Sequence, residues 1–247
     1  MPPTKTILIT GANRGIGYSI LQSLSTRFPS NTYILGSRSL DNAHTAINQL
    51  RDTSITTRIE PLVIDVTSDT SIEAAATFAK QQYGSLDVLI NNAGVATIPS
   101  PDLLDVRNTF ARTLDTNVIS VNNTIAAFLP LLKAAASRPM VINISSARGS
   151  LTRSAAGELP PSKSFAYCVS KAALNCLTLE WRKEEKDVGW YCVSPGHCRT
   201  AFNGYKGTRD PAEGANVVVG LVDGGGSVES GFYETEGASF ELKVVPW

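Results

Sequence analysis

A tyrosine and a lysine four positions apart, Tyr167 and Lys171, carry the groups in this sequence best suited to proton transfer. Residues four apart on a helix share one face. A phenol has a reference pKa of about 10, and a neighbouring ammonium favours the phenolate and lowers that pKa. Taken alone, such a pair is usually a surface pair. It gains meaning from a serine upstream, Ser146, and from a glycine-rich segment near the N-terminus.

That segment reads Thr10-Gly11-Ala12-Asn13-Arg14-Gly15-Ile16-Gly17 and follows the first apolar run of the chain. Glycines in such a turn let the backbone approach a diphosphate, and the following helix N-terminus supplies free N–H groups and a partial positive charge. Three glycines alone are a weak indication, because tight turns use glycine for many reasons. The position directly after a buried strand favours dinucleotide binding over a mere turn.

The charge after the second apolar run predicts which dinucleotide binds. NAD-binding folds usually place an Asp or Glu about 20 residues past the glycines. Here the segment 36–39 is Gly-Ser-Arg-Ser, with no acid. The guanidinium of Arg38 can bind a 2′-phosphate through two hydrogen bonds, and Arg14 can approach the same phosphate. The alternative is that Arg38 is only a solvated surface residue. We predict NADPH/NADP⁺ as the cofactor, with NADH the weaker candidate.

Short apolar runs alternate with longer amphipathic segments along the chain and must position these residues. Continuous apolar runs predict parallel strands that are buried on both faces, at residues 6–9, 31–36, 59–64, 87–90, 141–145 and 190–193. The three glycines at 224–226 predict a turn before a last short strand around residues 231–234. Helical patterns occupy residues 16–27, 41–51, 71–83, 106–136 and 165–186. We therefore predict an α/β fold of one domain over residues 1–247, a Rossmann-type doubly wound parallel sheet with helices on both faces. Two loops, near residues 150–164 and 200–211, are expected on the substrate side.

Composition excludes several classes of protein. The 22 basic and 22 acidic side chains balance, which argues against a nucleic-acid partner. Hydrophobic residues make up 43% of the chain and suit a large core, but no run reaches the roughly 20 apolar residues of a membrane span. Residues 1–6 lack the apolar stretch of a secretory signal, so we expect a cytoplasmic protein. The four cysteines and two histidines lack metal-ligand spacing, so no metal site is expected.

Six motifs, in order along the chain, resemble those of the short-chain dehydrogenase/reductase family, in its single-domain branch with carbonyl-reductase-like members. The first is the glycine-rich segment above. The others are Asn91-Asn92-Ala93-Gly94, Asn117, Ser145-Ser146, Tyr167-x-x-x-Lys171 and Pro195-Gly196-x-x-x-Thr200. The resemblance extends from residue 5 to about residue 200 and implies the catalytic roles of individual residues.

In that family pattern Tyr167 donates a proton to the carbonyl oxygen, and Lys171 holds the nicotinamide ribose and lowers the pKa of Tyr167. Ser146 hydrogen-bonds to the substrate oxygen, and Asn117 anchors a water that links Lys171 to solvent. Ser146 is preferred to Ser145 because it aligns with the family serine. Neighbouring strand residues face opposite ways, so only one of the two can reach the substrate.

The resemblance also implies a cofactor site. Asp65 matches the acid that binds the adenine amino group, although it could equally be a helix-entry residue, and Thr200 matches a contact to the nicotinamide carboxamide. The full set of expected cofactor-binding residues is Gly11, Asn13, Arg14, Gly15, Ile16, Gly17, Arg38, Asp65, Val66, Asn92, Ala93, Gly94, Tyr167, Lys171, Pro195, Gly196 and Thr200.

The leading functional hypothesis is an NADPH-dependent reductase of small ketones or aldehydes. One alternative is a secondary alcohol dehydrogenase that works toward oxidation, and another is a dinucleotide-binding sensor or scaffold without turnover. The complete set of Ser146, Tyr167, Lys171 and Asn117 argues against the sensor. The family's pairing of two long helices implies a possible homodimer or homotetramer. The loop at 200–211, with Phe202, could close over a substrate or be passive surface.

Overall fold

A computed structural model describes residues 4–247 and places one eight-stranded sheet at the centre of the protein. In chain order the strands are β1 (Thr6–Thr10), β2 (Thr32–Ser37), β3 (Ile59–Val63), β4 (Val88–Asn91), β5 (Met140–Ile144), β6 (Gly189–Ser194), β7 (Gly231–Glu234) and β8 (Lys243–Val244). Their spatial order is β3-β2-β1-β4-β5-β6-β7-β8. Within residues 4–247, β8 alone pairs antiparallel with its neighbour. The predicted parallel sheet is confirmed, whereas β8 was not predicted.

The N-terminal stretch 1–6, on which the expectation of no secretory signal depends, lies partly outside the described residues, since residues 1–3 are not among them. Within residues 4–247, no helix is long and apolar enough to cross a membrane.

Helices cover both faces of the sheet and explain the continuous apolar runs. In β1, Ile7 and Ile9 pack into the core on one face, and Leu8 packs into the core on the other. The first face carries α1 (Gly15–Arg27), α2 (Leu40–Asp52) and α8 (Pro211–Gly224), and the second carries α3 (Asp69–Tyr83), α5 (Ser120–Lys133) and α7 (Phe165–Glu184). Both faces are therefore buried, as a doubly wound fold requires.

The strand order reverses between β1 and β4, whose carboxyl ends lie side by side. In open α/β sheets, ligands bind in the crevice that forms outside the strand ends at such a reversal. The glycine-rich segment follows β1, Asn92 follows β4, Ser146 follows β5 and Pro195 follows β6. The fold therefore brings the separate sequence motifs to one edge of the sheet.

The helix predicted at residues 106–136 differs in its bounds and in its interior. It begins with α4 (Leu103–Leu114), because the Asp102 carboxylate accepts hydrogen bonds from the Leu104 and Asp105 N–H groups and caps it. A π-helical turn (Asp115–Ile119) joins α4 to α5. The helix ends at Lys133, and Pro139 lies farther along the chain.

Two segments predicted as loops contain helical structure. A short helix, α6 (Leu151–Ala155), forms in the loop 150–164, because the Ser150 hydroxyl accepts from the Arg153 N–H at its first turn. The loop 200–211 remains largely irregular, with one 3₁₀ turn (Ala201–Asn203). It ends in α8, which was not predicted and which Asp210 caps. The turn predicted at the three glycines, 224–226, lies between the end of α8 and β7.

Candidate active site

The glycine-rich segment forms a turn in which the positions of Gly11, Gly15 and Gly17 disfavour any side chain. Gly11 and Gly15 have φ angles of +64° and +59°, a region that L side chains rarely adopt. A Cβ atom at Gly17 would collide with the Asn92 side chain and lie 2.7 Å from the Gly11 carbonyl oxygen. The segment thus leaves an open cradle beside β1, which fits a dinucleotide diphosphate.

We expect Gly17→Ala to destabilise the fold by about 1–3 kcal/mol, the usual cost of overpacking. The Asn92 amide cannot move aside cheaply, because it donates hydrogen bonds to the carbonyls of Thr10 (2.8 Å) and Gly11 (3.1 Å). The gain in helix propensity from Gly to Ala, about 0.5–1 kcal/mol, is smaller. Urea unfolding measures the difference. The control is Gly226→Ala, whose Cβ would make ordinary contacts at 3.7 Å. Equal free energies of unfolding for the two variants would contradict the crowding at Gly17.

The N-terminus of α1 presents N–H groups that no side chain caps. Its N-cap residue is Arg14, which makes no side-chain capping bond, and its first turn holds no acid. In contrast, α2, α3, α4 and α8 are each capped by a serine or aspartate side chain. Free N–H groups and the partial positive charge of a helix N-terminus suit an anion such as a diphosphate.

Thr10 and Asn92 hold the glycine turn against the end of β4. The Thr10 hydroxyl, almost fully buried, accepts hydrogen bonds from the N–H groups of Asn92 (3.0 Å) and Ala93 (3.1 Å). Gly94 lies next to Asn117, whose Oδ1 would be 3.1 Å from a Cβ at that glycine. The sequence indicates Thr10 only as the first residue of the motif, whereas in the structure its hydroxyl joins the ends of β1 and β4.

The two serines after β5 face different ways, as the strand alternation predicts. Ser145 is buried, and its hydroxyl donates to the Asn175 side chain at 2.6 Å. Ser146 is partly exposed, and its hydroxyl lies near that of Tyr167. Ser146 is therefore the serine that remains available to a ligand.

Tyr167 and Lys171 lie on the same face of α7, near Ser146. The Lys171 Nζ atom is 5.6 Å from the centroid of the Tyr167 ring and donates to the Ile144 carbonyl at 2.6 Å. Burial lowers the pKa of Lys171 to about 8. Burial raises the pKa of Tyr167 to about 12, and the Ser146 hydroxyl counters that rise in part.

The expectation that Lys171 pulls the pKa of Tyr167 below its usual value is therefore not met in the protein alone. The physical reason is that desolvation of the phenolate outweighs the neighbouring groups that favour it. The phenol is firmly protonated at neutral pH, which is the state that a proton donor needs.

Asn117 sits in the π-helical turn between α4 and α5 and is almost fully buried. Its amide group donates to the Val95 carbonyl (2.9 Å) and the Ser170 hydroxyl (3.0 Å), and its Oδ1 accepts from the Val95 N–H (2.8 Å). Ser170 in turn donates to the Tyr167 carbonyl. Asn117 thus connects the loop after β4 to the helix that carries Tyr167. Both hydrogens of the Asn117 side-chain amide are donated to protein groups. The water that the family resemblance implies would therefore have to donate a hydrogen bond to an oxygen atom of Asn117.

The residues expected around the adenosine end lie where β2 and β3 end. Arg38 directly follows β2 and is exposed, so its guanidinium is open to a ligand. The Oδ1 atom of Asp65 accepts from the N–H (3.0 Å) and the hydroxyl (2.8 Å) of Thr67. Ser68, and not Asp65, caps α3. Val66 beside Asp65 is partly buried against the core.

The segment after β6 closes the site from the other side. Thr200 is almost fully buried and faces the glycine turn, since a Cβ at Gly15 would be 3.8 Å from the Thr200 side chain. Gly196 has a φ angle of +81°. Farther along, the ring of Phe202 meets that of Tyr167 edge to face, with centroids 5.9 Å apart. The loop 200–211 therefore contacts the proposed proton donor directly.

Arg209 holds this loop in place and was missed in the sequence. Its guanidinium donates to the carbonyls of Pro195 (3.1 Å), Glu213 (3.0 Å), Thr235 (2.8 Å) and Gly237 (2.9 Å). The segments after β6 and β7 are joined by this one side chain. The local sequence does not indicate this role, because an arginine in a polar loop is usually solvated. The partners of Arg209 lie as many as 28 positions away in the chain.

Together, the fold and the site define a dinucleotide-binding α/β protein with a serine, a tyrosine and a lysine gathered at the cofactor edge. The family model described as short chain dehydrogenase matches residues 5–210. A short-chain dehydrogenase/reductase of Aspergillus fumigatus is 34% identical over 98% of this chain and 97% of its own length. A short-chain dehydrogenase of Penicillium roqueforti is 34% identical over 86% of each chain.

Among solved structures, NADPH-bound carbonyl reductase from chicken fatty liver superimposes with a TM-score of 0.79 and 27% identity, over 99% of this chain and 94% of that one. The chain belongs to the short-chain dehydrogenase/reductase family. It is an oxidoreductase that acts on a carbonyl or alcohol group of a small molecule with a nicotinamide cofactor.

Proposed function

We propose that the protein is an NADPH-dependent reductase of ketones or aldehydes, with Tyr167 as the proton donor. The observation that carries the proposal is the convergence of Ser146, Tyr167 and Lys171 at the sheet edge that also holds the glycine cradle. The similar carbonyl reductase from chicken fatty liver was solved with NADPH, which supports carbonyl reduction as the reaction and NADPH as the cofactor.

The cofactor is proposed to lie across the end of the sheet. The glycine turn and the uncapped α1 N-terminus would hold its diphosphate. The backbone of Asn92, Ala93 and Gly94 would border the nicotinamide ribose, with the Lys171 ammonium as a donor to its hydroxyls. Pro195, Gly196 and Thr200 would flank the nicotinamide. When bound, NADPH supplies the hydride that the carbonyl carbon accepts.

The residues of this chain would handle the proton. The Ser146 hydroxyl orients the carbonyl oxygen, and the Tyr167 hydroxyl donates its proton to that oxygen as the carbon is reduced. Burial raises the pKa of Tyr167 to about 12, so the phenol carries the proton that it would donate at neutral pH. Asn117 bonds to Val95 and Ser170 and would hold the loop after β4 in a fixed position relative to α7.

NADPH is preferred over NADH on grounds of charge. No acid stands in the segment 36–39, where a ribose 2′-hydroxyl would need an acceptor. Arg38 is exposed at the end of β2 and can reach a 2′-phosphate there, and Arg14 is exposed at the start of α1.

Arg38→Ala should weaken NADPH binding about 10- to 100-fold, because a hydrogen bond to a charged group contributes about 1.5–3 kcal/mol. NADH affinity should stay nearly level, since NADH lacks the 2′-phosphate. Fluorescence titration of both cofactors gives the two dissociation constants. Arg51→Ala, at an exposed arginine in the last turn of α2, is the matched control and should change neither. Equal weakening of both cofactors by Arg38→Ala would make Arg38 structural.

A panel of ketones and aldehydes, followed by loss of NADPH absorbance, tests the function itself. Reduction of any member by the wild type, and its loss in Tyr167→Phe, supports the reductase. An enzyme that binds NAD more tightly than NADP and oxidises alcohols but reduces no carbonyl would be the alternative dehydrogenase. Tight cofactor binding with no turnover of any kind would indicate the sensor.

A further inference from the structure

We infer that Arg148 determines substrate specificity by binding an anionic oxygen group, such as a carboxylate, on the carbonyl substrate. The inference rests on the proposed function and names its substrate class: ketones or aldehydes that carry an acidic group near the reacting carbonyl.

Arg148 stands between the catalytic serine and the substrate-side loop. Its backbone N–H donates to the Ser146 hydroxyl oxygen at 3.2 Å, so the residue directly adjoins the group proposed to hold the substrate oxygen. One guanidinium nitrogen, Nη1, donates to the Pro160 carbonyl in the loop 150–164. That loop leads into α7, which carries Tyr167. The side chain therefore borders the space between Ser146, the loop and the start of α7.

The charge of Arg148 has no counter-charge in the described protein. No carboxylate of residues 4–247 lies within 4.0 Å of its guanidinium, whereas the next arginine in the chain, Arg153, is paired with Glu234 at 2.6 Å. Arg148 is only partly exposed. A guanidinium has five N–H donors, so the single bond to Pro160 leaves most of them for another acceptor. A partly buried arginine without a carboxylate partner suits an anion supplied by a ligand.

The positive field of Arg148 reaches the reaction centre. Its charge is among the influences that lower the pKa of Tyr167 against the larger effect of burial. A negatively charged substrate is drawn to such a site from solution as well as held within it.

The two segments that border the site carry an excess of positive charge. Residues 147–164 and 195–206 together hold five cations, Arg148, Arg153, Lys163, Arg199 and Lys206, against the single carboxylate of Glu158. Arg153 is paired with Glu234 and Glu158. The excess therefore consists of the other four cations, none of which has a carboxylate within 4.0 Å among residues 4–247. The whole chain is balanced at 22 of each sign. The local imbalance thus favours acidic substrates over neutral ones at this edge of the sheet.

The experiment compares 2-, 3- and 4-acetylbenzoate with their methyl esters, which are neutral ketones of nearly the same shape. For at least one isomer, the wild type should show a kcat/KM for the acid about 10- to 100-fold above that for the ester, the range of a hydrogen bond to a charged group. Arg148→Gln should abolish this ratio, and Arg148→Lys should keep part of it because the charge remains. Arg58→Gln, which removes a surface charge paired with Glu60 just before β3, should leave the ratio unchanged.

Two results would overturn the inference. An acid-to-ester ratio near one for every isomer in the wild type would show that no anion is recognised. If Arg148→Gln lowered kcat/KM for the acid and for the ester by the same factor, the ratio would be kept. Arg148 would then be a residue that only holds the loop through Pro160. The ester in the wild type reports on the reductase itself. If the esters are reduced and the acids are not preferred, the Arg148 inference alone is wrong. If no carbonyl compound is reduced, including those of the broader panel, the proposed function is wrong.

Discussion

Tyr167→Phe is expected to lower carbonyl reduction by about 10²–10⁴-fold, the usual contribution of a general acid. The substitution deletes only the hydroxyl. The ring can keep its edge-to-face contact with Phe202 and its position beneath the Lys171 ammonium. Cofactor binding should therefore persist while turnover falls. Steady-state kinetics at saturating NADPH measures the turnover, and fluorescence titration measures the binding.

The matched control is Tyr191→Phe, which deletes a tyrosine hydroxyl away from the site. The Tyr191 hydroxyl donates to the Val228 carbonyl at 2.7 Å, so its loss should cost about 0.5–1.5 kcal/mol in stability and leave turnover unchanged. A Tyr167→Phe enzyme that kept most of its turnover would eliminate Tyr167 as the proton donor. Similar losses in both variants would point to a general effect of hydroxyl removal.

The parallel sheet was predictable because its signal is local and strong. The runs that form β1, β4 and β5 place apolar residues at consecutive positions, which point to opposite faces of the sheet. Such strands are buried only in a sheet that is covered on both sides. The site residues were predictable for a related reason. Motifs that follow successive parallel strands must meet at the same edge, whatever the helices between them do.

The helix α8 escaped prediction because its sequence opposes helix formation locally. Gly214 and Gly220 lower helix propensity by about 1 kcal/mol each relative to alanine. The structure requires them: a Cβ at Gly220 would lie 2.5 Å from the Phe240 carbonyl, and Gly214 packs tightly against the buried Cys198. Tertiary packing, which no window of sequence contains, therefore decides this helix.

Contacts over long sequence separations were equally beyond local patterns. The Ser150 hydroxyl donates to the Pro246 carbonyl, and Thr152 donates to the Trp247 carbonyl, about 95 positions away in the chain. These bonds fasten the short helix α6 in the loop 150–164 to the segment that follows β8. The raised pKa of Tyr167 belongs to the same class of property, because it depends on burial and not on the lysine four positions away.

NADPH-dependent reduction should decline as the pH rises through about 8 in the wild type, because Lys171 then loses its proton. Burial sets the pKa of Lys171 at about 8, well below the usual value for lysine. Above that pH the neutral amine is a weaker donor to the ribose hydroxyls, so kcat/KM for NADPH should fall. Tyr167, with a pKa of about 12, keeps its proton up to pH 10 and contributes nothing to this decline.

Two variants assign the transition to Lys171. Lys171→Met keeps a long side chain without charge, so kcat/KM should be low, by about 10²-fold or more from the lost charged hydrogen bond and displaced cofactor, and flat from pH 7 to 10. Lys171→Arg keeps its charge throughout that range and loses only the geometry, so its profile should be flat at an intermediate level. Circular dichroism over the same pH range verifies that each protein stays folded. A decline near pH 8 that survives in Lys171→Arg would show that another group titrates, and that Lys171 acts only by position.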